Sequence, residues 1–175
     1  TRRSSDLTHV VRAGQHVPEG RPAQYETGAV RTGDAVCEVG VTAGDRVERT
    51  AAYADMCRLN ALYMIARAGS GHIGSSFSSL DIVSWLLLDE MNADDVYFSS
   101  KGHDAPGFYA ALLGLERLPF DLLHQLRRLD GLPGHPDVAT PGIVTNTGSL
   151  GMGISKAKGM VLANRLAGRD SRVFV

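Results

Sequence analysis

The sequence has little that would tie it to a membrane, a nucleic acid or an oxidising compartment. Its formal net charge is −1 over 175 residues, so no broad positive field draws it toward nucleic acid or anionic lipid. No apolar run approaches the length of a membrane-spanning helix, and the first residues carry no signal-peptide apolar core. Cys37 and Cys57 are the two cysteines, without CxxC spacing. Buried, reduced structural thiols in a cytoplasmic protein are therefore the expectation. The familiar catalytic signatures are missing too. There is no GxxxxGK, and Gly148-Ser-Leu-Gly-Met-Gly153 does not have GxGxxG spacing, which removes the P-loop and Rossmann readings of that stretch. There is no HExxH and no GxSxG, so zincin and α/β-hydrolase chemistry lack their letters.

What is present is an ordinary soluble composition, 43% apolar and 21% charged, in a chain long enough for a real core. Twenty glycines make it somewhat glycine-rich. Residues 1–48 differ from the rest: Gly14, Gly20, Gly28, Gly33, Gly40 and Gly44 alternate with short β-prone pieces such as Val36-Cys-Glu-Val39. They read as an irregular N-terminal arm, with a small hairpin as one option and partial disorder as the other.

From residue 49 to residue 175 the pattern is helices separated by short apolar strands. A helix starts near Thr50, with Ala52, Met56, Leu59, Tyr63 and Ala66 on one face, and ends at Gly69 and Gly71. Ser70 to Phe77 reads as a loop of small residues, and Ser78-Ser-Leu-Asp81 as the capping box of a second helix over 82–90, buried on several sides. Asp95 to Phe98 is a strand candidate; Asp104 then suits an N-cap and Pro106 a first turn. Pro119 opens a helix with Phe120, Leu123, Leu126 and Leu129 at helical spacing, closed by Gly131. The stretch 132–147 is a loop, a helix runs from about Gly151 to Ala167, and Val173 to Val175 starts a strand. This order predicts a three-layer α/β fold with a mainly parallel sheet. Ligands bind such sheets at the strands' C-terminal ends, beside helix N-termini. An apolar strand at the end also leads us to expect a natural chain that continues past Val175.

Three Gly-His steps stand out, at Gly71-His72, Gly102-His103 and Gly134-His135. Their spacings of 31 and 32 residues match no common zinc site. Each has a plain reading, as a helix stop, a strand-to-helix turn or a stiff proline turn. Lys101-Gly-His-Asp104 also combines a cation with a helix start, which suits an anion. His9, His16 and His124 carry no motif and are expected at the surface.

Taken in order, these stretches resemble transketolase. The likeness covers about residues 50 to 175. It rests on Gly71-His-Ile-Gly74, on Phe98-Ser-Ser-Lys-Gly-His-Asp-Ala-Pro-Gly107, on Gly134-His-Pro-Asp137 with Thr140-Pro-Gly142, and on Thr147-Gly-Ser-Leu-Gly-Met-Gly153. Four such motifs in this order are specific where each one alone is weak. The nearest likeness is to the N-terminal subunit of split bacterial transketolases, which carries the pyrophosphate-binding module.

The resemblance implies the thiamine diphosphate-binding α/β fold and transfer of a two-carbon ketol unit from a ketose to an aldose. It implies thiamine diphosphate and Mg²⁺ as cofactors. The diphosphate clamp and the metal ligands, a Gly-Asp-Gly motif and a later asparagine, are expected beyond Val175. It implies a separate C-terminal subunit carrying the pyrimidine-binding module, a homodimer of such heterodimers, and sugars or sugar phosphates as substrates. His103 would lie near the diphosphate and the reacting carbons, and His72 and His135 would contact substrate hydroxyls and assist proton transfers. Gly148, Ser149 and Leu150 would line the aminopyrimidine ring, Ser149 standing where many members have proline. The competing readings are a related enzyme, such as 1-deoxyxylulose-5-phosphate synthase, and a non-catalytic assembly or regulatory module of the same fold. The run from Lys101 to Pro106 favours transketolase over the first, and the three retained histidines argue against the second.

Overall fold

The computed structural model describes residues 46–175 in full and, before them, the backbone of three strands. These are β1 (His9–Ala13), β2 (Gly28–Thr32) and β3 (Ala35–Val39). They pair antiparallel in that order, β1 with β2 from His9↔Thr32 to Ala13↔Gly28, and β2 with β3 from Gly28↔Val39 to Thr32↔Ala35. The side chains of His9, His16 and Cys37 lie outside the described residues.

Helix α1 (Arg46–Ala68) begins four residues before Thr50. The reason is tertiary. Asp89 takes Arg46 at 2.7 Å, Arg49 at 2.9 Å and the Thr50 hydroxyl at 3.1 Å, so the first turn is tied to a distant carboxylate. The buried face also differs from the expected one. It comprises Tyr53, Ala54, Met56, Cys57, Asn60, Ala61, Met64 and Ile65, while Leu59 is 52% exposed. Apolar residues occur all round this helix, so periodicity alone could be phased two ways. The small side chains of Ala54, Cys57 and Ala61 are fully buried, which brings a neighbouring helix closer than leucines would allow.

Helix α2 (Ile73–Trp85) starts inside the stretch expected to be a loop. No capping box forms: Ser78 lies within the helix, and its hydroxyl donates to the Ser75 carbonyl at 3.3 Å. The Ser78 and Ser79 hydroxyls bond back to the carbonyls of Ser75 and Ser76, which satisfies them but does not itself favour helix. Its small residues have a packing role. A methyl group on Gly107 would come within 2.7 Å of the Ser76 carbonyl oxygen, so α2 and the next helix cross almost backbone to backbone there. Beyond Trp85 the helix widens into one π-helical turn, Leu86–Glu90. Leu87 and Leu88 are buried, whereas Ile82, expected inside, is 65% exposed.

Strand β4 (Val96–Tyr97) runs parallel to β5 (Val173–Phe174), Val96 opposite Val173 and Tyr97 opposite Phe174. Arg172 staples the pair. Its guanidinium reaches Asp95 Oδ2 at 2.7 Å, and its own N–H donates to Asp95 Oδ1 at 2.7 Å. Burial disfavours the charged Asp95. The Arg172 guanidinium and the N–H groups of Asn92 and Arg172 more than offset that, and hold its carboxyl below the usual range.

Helix α3 (Ala105–Gly114) is buried at all ten positions and forms the centre of the core. Fully burying a side chain such as Leu112 contributes about 1.5–3 kcal/mol. Tyr53 crosses from α1 to donate its hydroxyl to the Ala111 carbonyl at 2.6 Å. The helix expected after Pro119 is only a 3₁₀ turn, Phe120–His124. The chain then doubles back: Arg127 and Asp130 adopt left-handed φ of 57° and 60°, and Leu126 bridges to Leu132. The turn sends Leu123, Leu126 and Leu132 into the core and leaves Leu129 94% exposed. His124, expected at the surface, is half-buried, with Nδ1 at 2.9 Å from the Tyr63 hydroxyl. The stretch 132–147 contains no helix, and helix α4 (Met152–Leu166) follows it.

Candidate active site

Four loops meet at the C-terminal end of β4. The first is the turn between α1 and α2. Gly69-Ser-Gly-His-Ile-Gly74 has GxGxxG spacing, but it follows a helix rather than a strand, so it is not a dinucleotide-binding turn. His72 is the N-cap of α2 with φ −102° and ψ 92°, and its side chain makes no capping bond. The imidazole is therefore left to the site.

The second loop, 98–104, leaves β4 and enters α3. Gly102 has φ +70°, and a methyl there would stand 2.8 Å from the Thr147 carbonyl carbon and oxygen. Only glycine fits at this approach. It brings His103 beside His72, with ring centroids 4.6 Å apart and planes tilted by 49°. Asp104 caps α3 in position but not by hydrogen bond. Its buried carboxylate turns back into the loop instead, taking the Ser99 hydroxyl at 2.7 Å and the Lys101 ammonium at 3.4 Å. Its other oxygen is buried with no partner among the described residues. Tyr97 lies close enough that burial, and then the Asp104 charge, push its phenol well above the ordinary value.

The third loop carries His135 and the fourth carries Gly148. A methyl on Gly148 would come within 3.3 Å of His135 Nδ1, so the imidazole lies against that glycine. Gly151, with φ +82°, turns the chain into α4. The Gly153 N–H donates to Ser100 Oγ at 3.0 Å, tying the fourth loop to the second. The Thr147 hydroxyl is buried and, among the described residues, unpartnered. Leu150 stands 73% exposed, and Ser149 is exposed beside it.

The structure thus places His72 with His103, His135 with Gly148, and the Gly102–His103 turn on Thr147–Gly148. Ser149 and Leu150 flank that junction as exposed positions. Sequence reasoning did not single out Tyr109, Asn146, Lys156 or the Thr147 hydroxyl. Nothing local marks them: Tyr109 reads as core, and its hydroxyl donates to the His135 carbonyl at 3.3 Å only because α3 passes behind that loop. Among the described residues no group of three or more His, Cys, Asp or Glu converges as a metal site.

The family described as "Transketolase, thiamine diphosphate binding domain" matches residues 49–172. The chain is 35% identical to an apulose-4-phosphate transketolase subunit from Actinobacillus succinogenes, over 60% of this chain and 42% of the relative. It is 39% identical to 6-deoxy-6-sulfo-D-fructose transketolase subunit SqwG of a Clostridium species, over 63% of this chain and 44% of the relative. Against Escherichia coli transketolase 2 it is 32% identical, over 64% of this chain and 19% of the relative. The chain spans less than half the length of each of these three relatives.

Proposed function

This chain belongs to the transketolase family, within its thiamine diphosphate-binding domain, and on that premise we propose that it transfers a two-carbon ketol unit from a ketose to an aldose, as the N-terminal subunit of a split enzyme. The observation that carries the reading is the convergence of the four loops, with Gly102 packed on Thr147–Gly148 and two imidazoles side by side at 4.6 Å. Relatives named as subunits support a C-terminal partner. The reading includes a homodimer of such heterodimers, sugars or sugar phosphates as substrates, and residues 49–175 as part of the pyrophosphate-binding module beside the 1–48 arm. No described helix is long and apolar enough to cross a membrane.

The residues fit thiamine diphosphate. The Thr147 hydroxyl, buried beside the Gly102 turn and without a partner among the described residues, is free to bond a polar atom of the cofactor. When bound, the cofactor supplies the carbon nucleophile and the electron sink through which the ketose carbon–carbon bond breaks. In this reading Gly148, Ser149 and Leu150 hold its aminopyrimidine ring. His103 and His72 hold and hand on protons, a role suited to imidazole rings, which both donate and accept. His135 binds substrate hydroxyls from the Gly148 side. Mg²⁺ accompanies the diphosphate with ligands outside residues 1–175.

The test is ketol transfer by the full protein mixed with a C-terminal transketolase subunit, thiamine diphosphate and Mg²⁺. Transfer between sugar phosphates is expected, and its absence across several donors would remove the reading. Condensation with pyruvate as donor would point to the synthase instead. His103→Ala should lower kcat by about 10²-fold or more with the unfolding midpoint preserved, and unchanged turnover would mean the site is elsewhere.

A further inference from the structure

One side chain joins the loop of His135 to the loop of Gly148. Asn146 Nδ2 donates to Asp137 Oδ2 at 2.9 Å, and Asn146 Oδ1 accepts the Val138 N–H at 2.9 Å. These partners decide which way the amide faces, since an ionised carboxylate only accepts and an N–H only donates. The second Asp137 oxygen accepts the Ala139 N–H at 2.9 Å. The segment just after His135 is therefore bound to Asn146 at two points and braced within itself at a third. Asn146 is held in turn through its own carbonyl, which takes the Lys156 ammonium from α4, and the same ammonium donates to Thr145 Oγ1 at 2.9 Å. On the far side the Tyr109 hydroxyl supports the His135 carbonyl at 3.3 Å. Burial and the nearby Asp137 charge raise its pKa, so it remains a donor.

Core stability does not account for this arrangement. Asn146 is exposed, and solvent-facing hydrogen bonds contribute little net stability. What they do is restrict where the residues flanking His135 can go. We propose that Asn146, backed by Lys156, is a positioning residue for His135, clamping the Pro133–Asp137 turn to the Thr145–Gly148 segment so that the imidazole stays against Gly148. This deepens the functional reading above and rests on its assignment of His135 to substrate.

The test uses the full protein, with histidine-ring NMR on it alone and kinetics after addition of the partner and cofactors. Asn146→Ala is expected to move the His135 ring resonances and leave those of His72 and His103 in place. It should lower kcat/KM for the sugar donor by about tenfold, as displacement of a positioned group does, with little change in thermal midpoint. In a His135→Ala background the same substitution should cost less than about twofold, because both act through one imidazole. N146D alone faces two carboxylates and should be worse, whereas D137N with N146D exchanges donor and acceptor and should restore most of the loss. Unmoved His135 resonances in Asn146→Ala would overturn the proposal, as would losses that multiply with His135→Ala. If wild type transfers no ketol unit while the ring shift appears, the functional reading fails and the positioning of His135 stands.

Discussion

Gly102→Ala separates two effects that are usually confounded at glycine positions. Gly102 has φ +70°, and a left-handed backbone costs an ordinary L-residue about 1–2 kcal/mol. The added methyl would also stand 2.8 Å from the Thr147 carbonyl carbon and oxygen and 2.9 Å from the Gly148 nitrogen. Those are backbone atoms, so no rotamer change relieves the contact. The two loops must part by roughly half an ångström, an overpacking that costs about 1–3 kcal/mol. Gly69→Ala is the matched control, because Gly69 has φ +67° but nothing within 4 Å of an added methyl. Strain is common to both variants and only Gly102→Ala adds the clash. The difference of about 2 kcal/mol corresponds to roughly 4–8 °C in unfolding midpoint for a domain of this size. Calorimetry on the two variants reads it directly. Equal midpoints would refute the claim that the second and fourth loops are in backbone contact, and with it the geometry of the site.

Two further expectations follow from buried groups. Burial pushes the Cys57 thiol up to about 12, against smaller lowering effects from Tyr53 and Arg58, so almost no thiolate exists at pH 8. In a Cys37→Ser background, labelling of Cys57 should track global unfolding, and rapid stoichiometric labelling of the native protein would contradict its burial. Asp95 has its folded pKa below the unfolded value, with burial opposed and outweighed by the Arg172 and backbone donors. Its stabilisation is therefore present above the unfolded pKa and lost as pH falls through the folded one. Denaturant midpoints of wild type and Asp95→Asn should differ by a constant amount above roughly pH 5 and converge below about pH 4; a gap that widens on acidification would reverse the sign of this linkage.

The errors in reading the elements share one cause. Ser75 and Ser76 look like loop letters, yet they are helix, and Gly107 of α3 comes within touching distance of Ser76. Leu123, Leu126 and Leu129 look like one helical face, yet Leu126 and Leu132 are drawn inward by a bridge that expels Leu129. In both places packing into the core overrode local periodicity, through a contact between two helices at Ser76 and through a tight turn with a six-residue bridge at Leu126.

By itself the sequence determined the parts whose chemistry is local. The glycines that permit tight backbone, the histidines beside them, the short apolar strand segments and the order of the four loops are all written in consecutive residues. The tertiary structure decided everything that depends on two segments meeting: which face of α1 is buried, that Gly102 rests on Thr147–Gly148, that His72 pairs with His103, and that Asn146 and Lys156 hold the loop of His135. The physical reason is that hydrogen bonds and close packing act over a few ångströms in space, whereas Asp95 and Arg172, or Tyr109 and His135, are joined only after the chain has folded back across 77 and 26 residues.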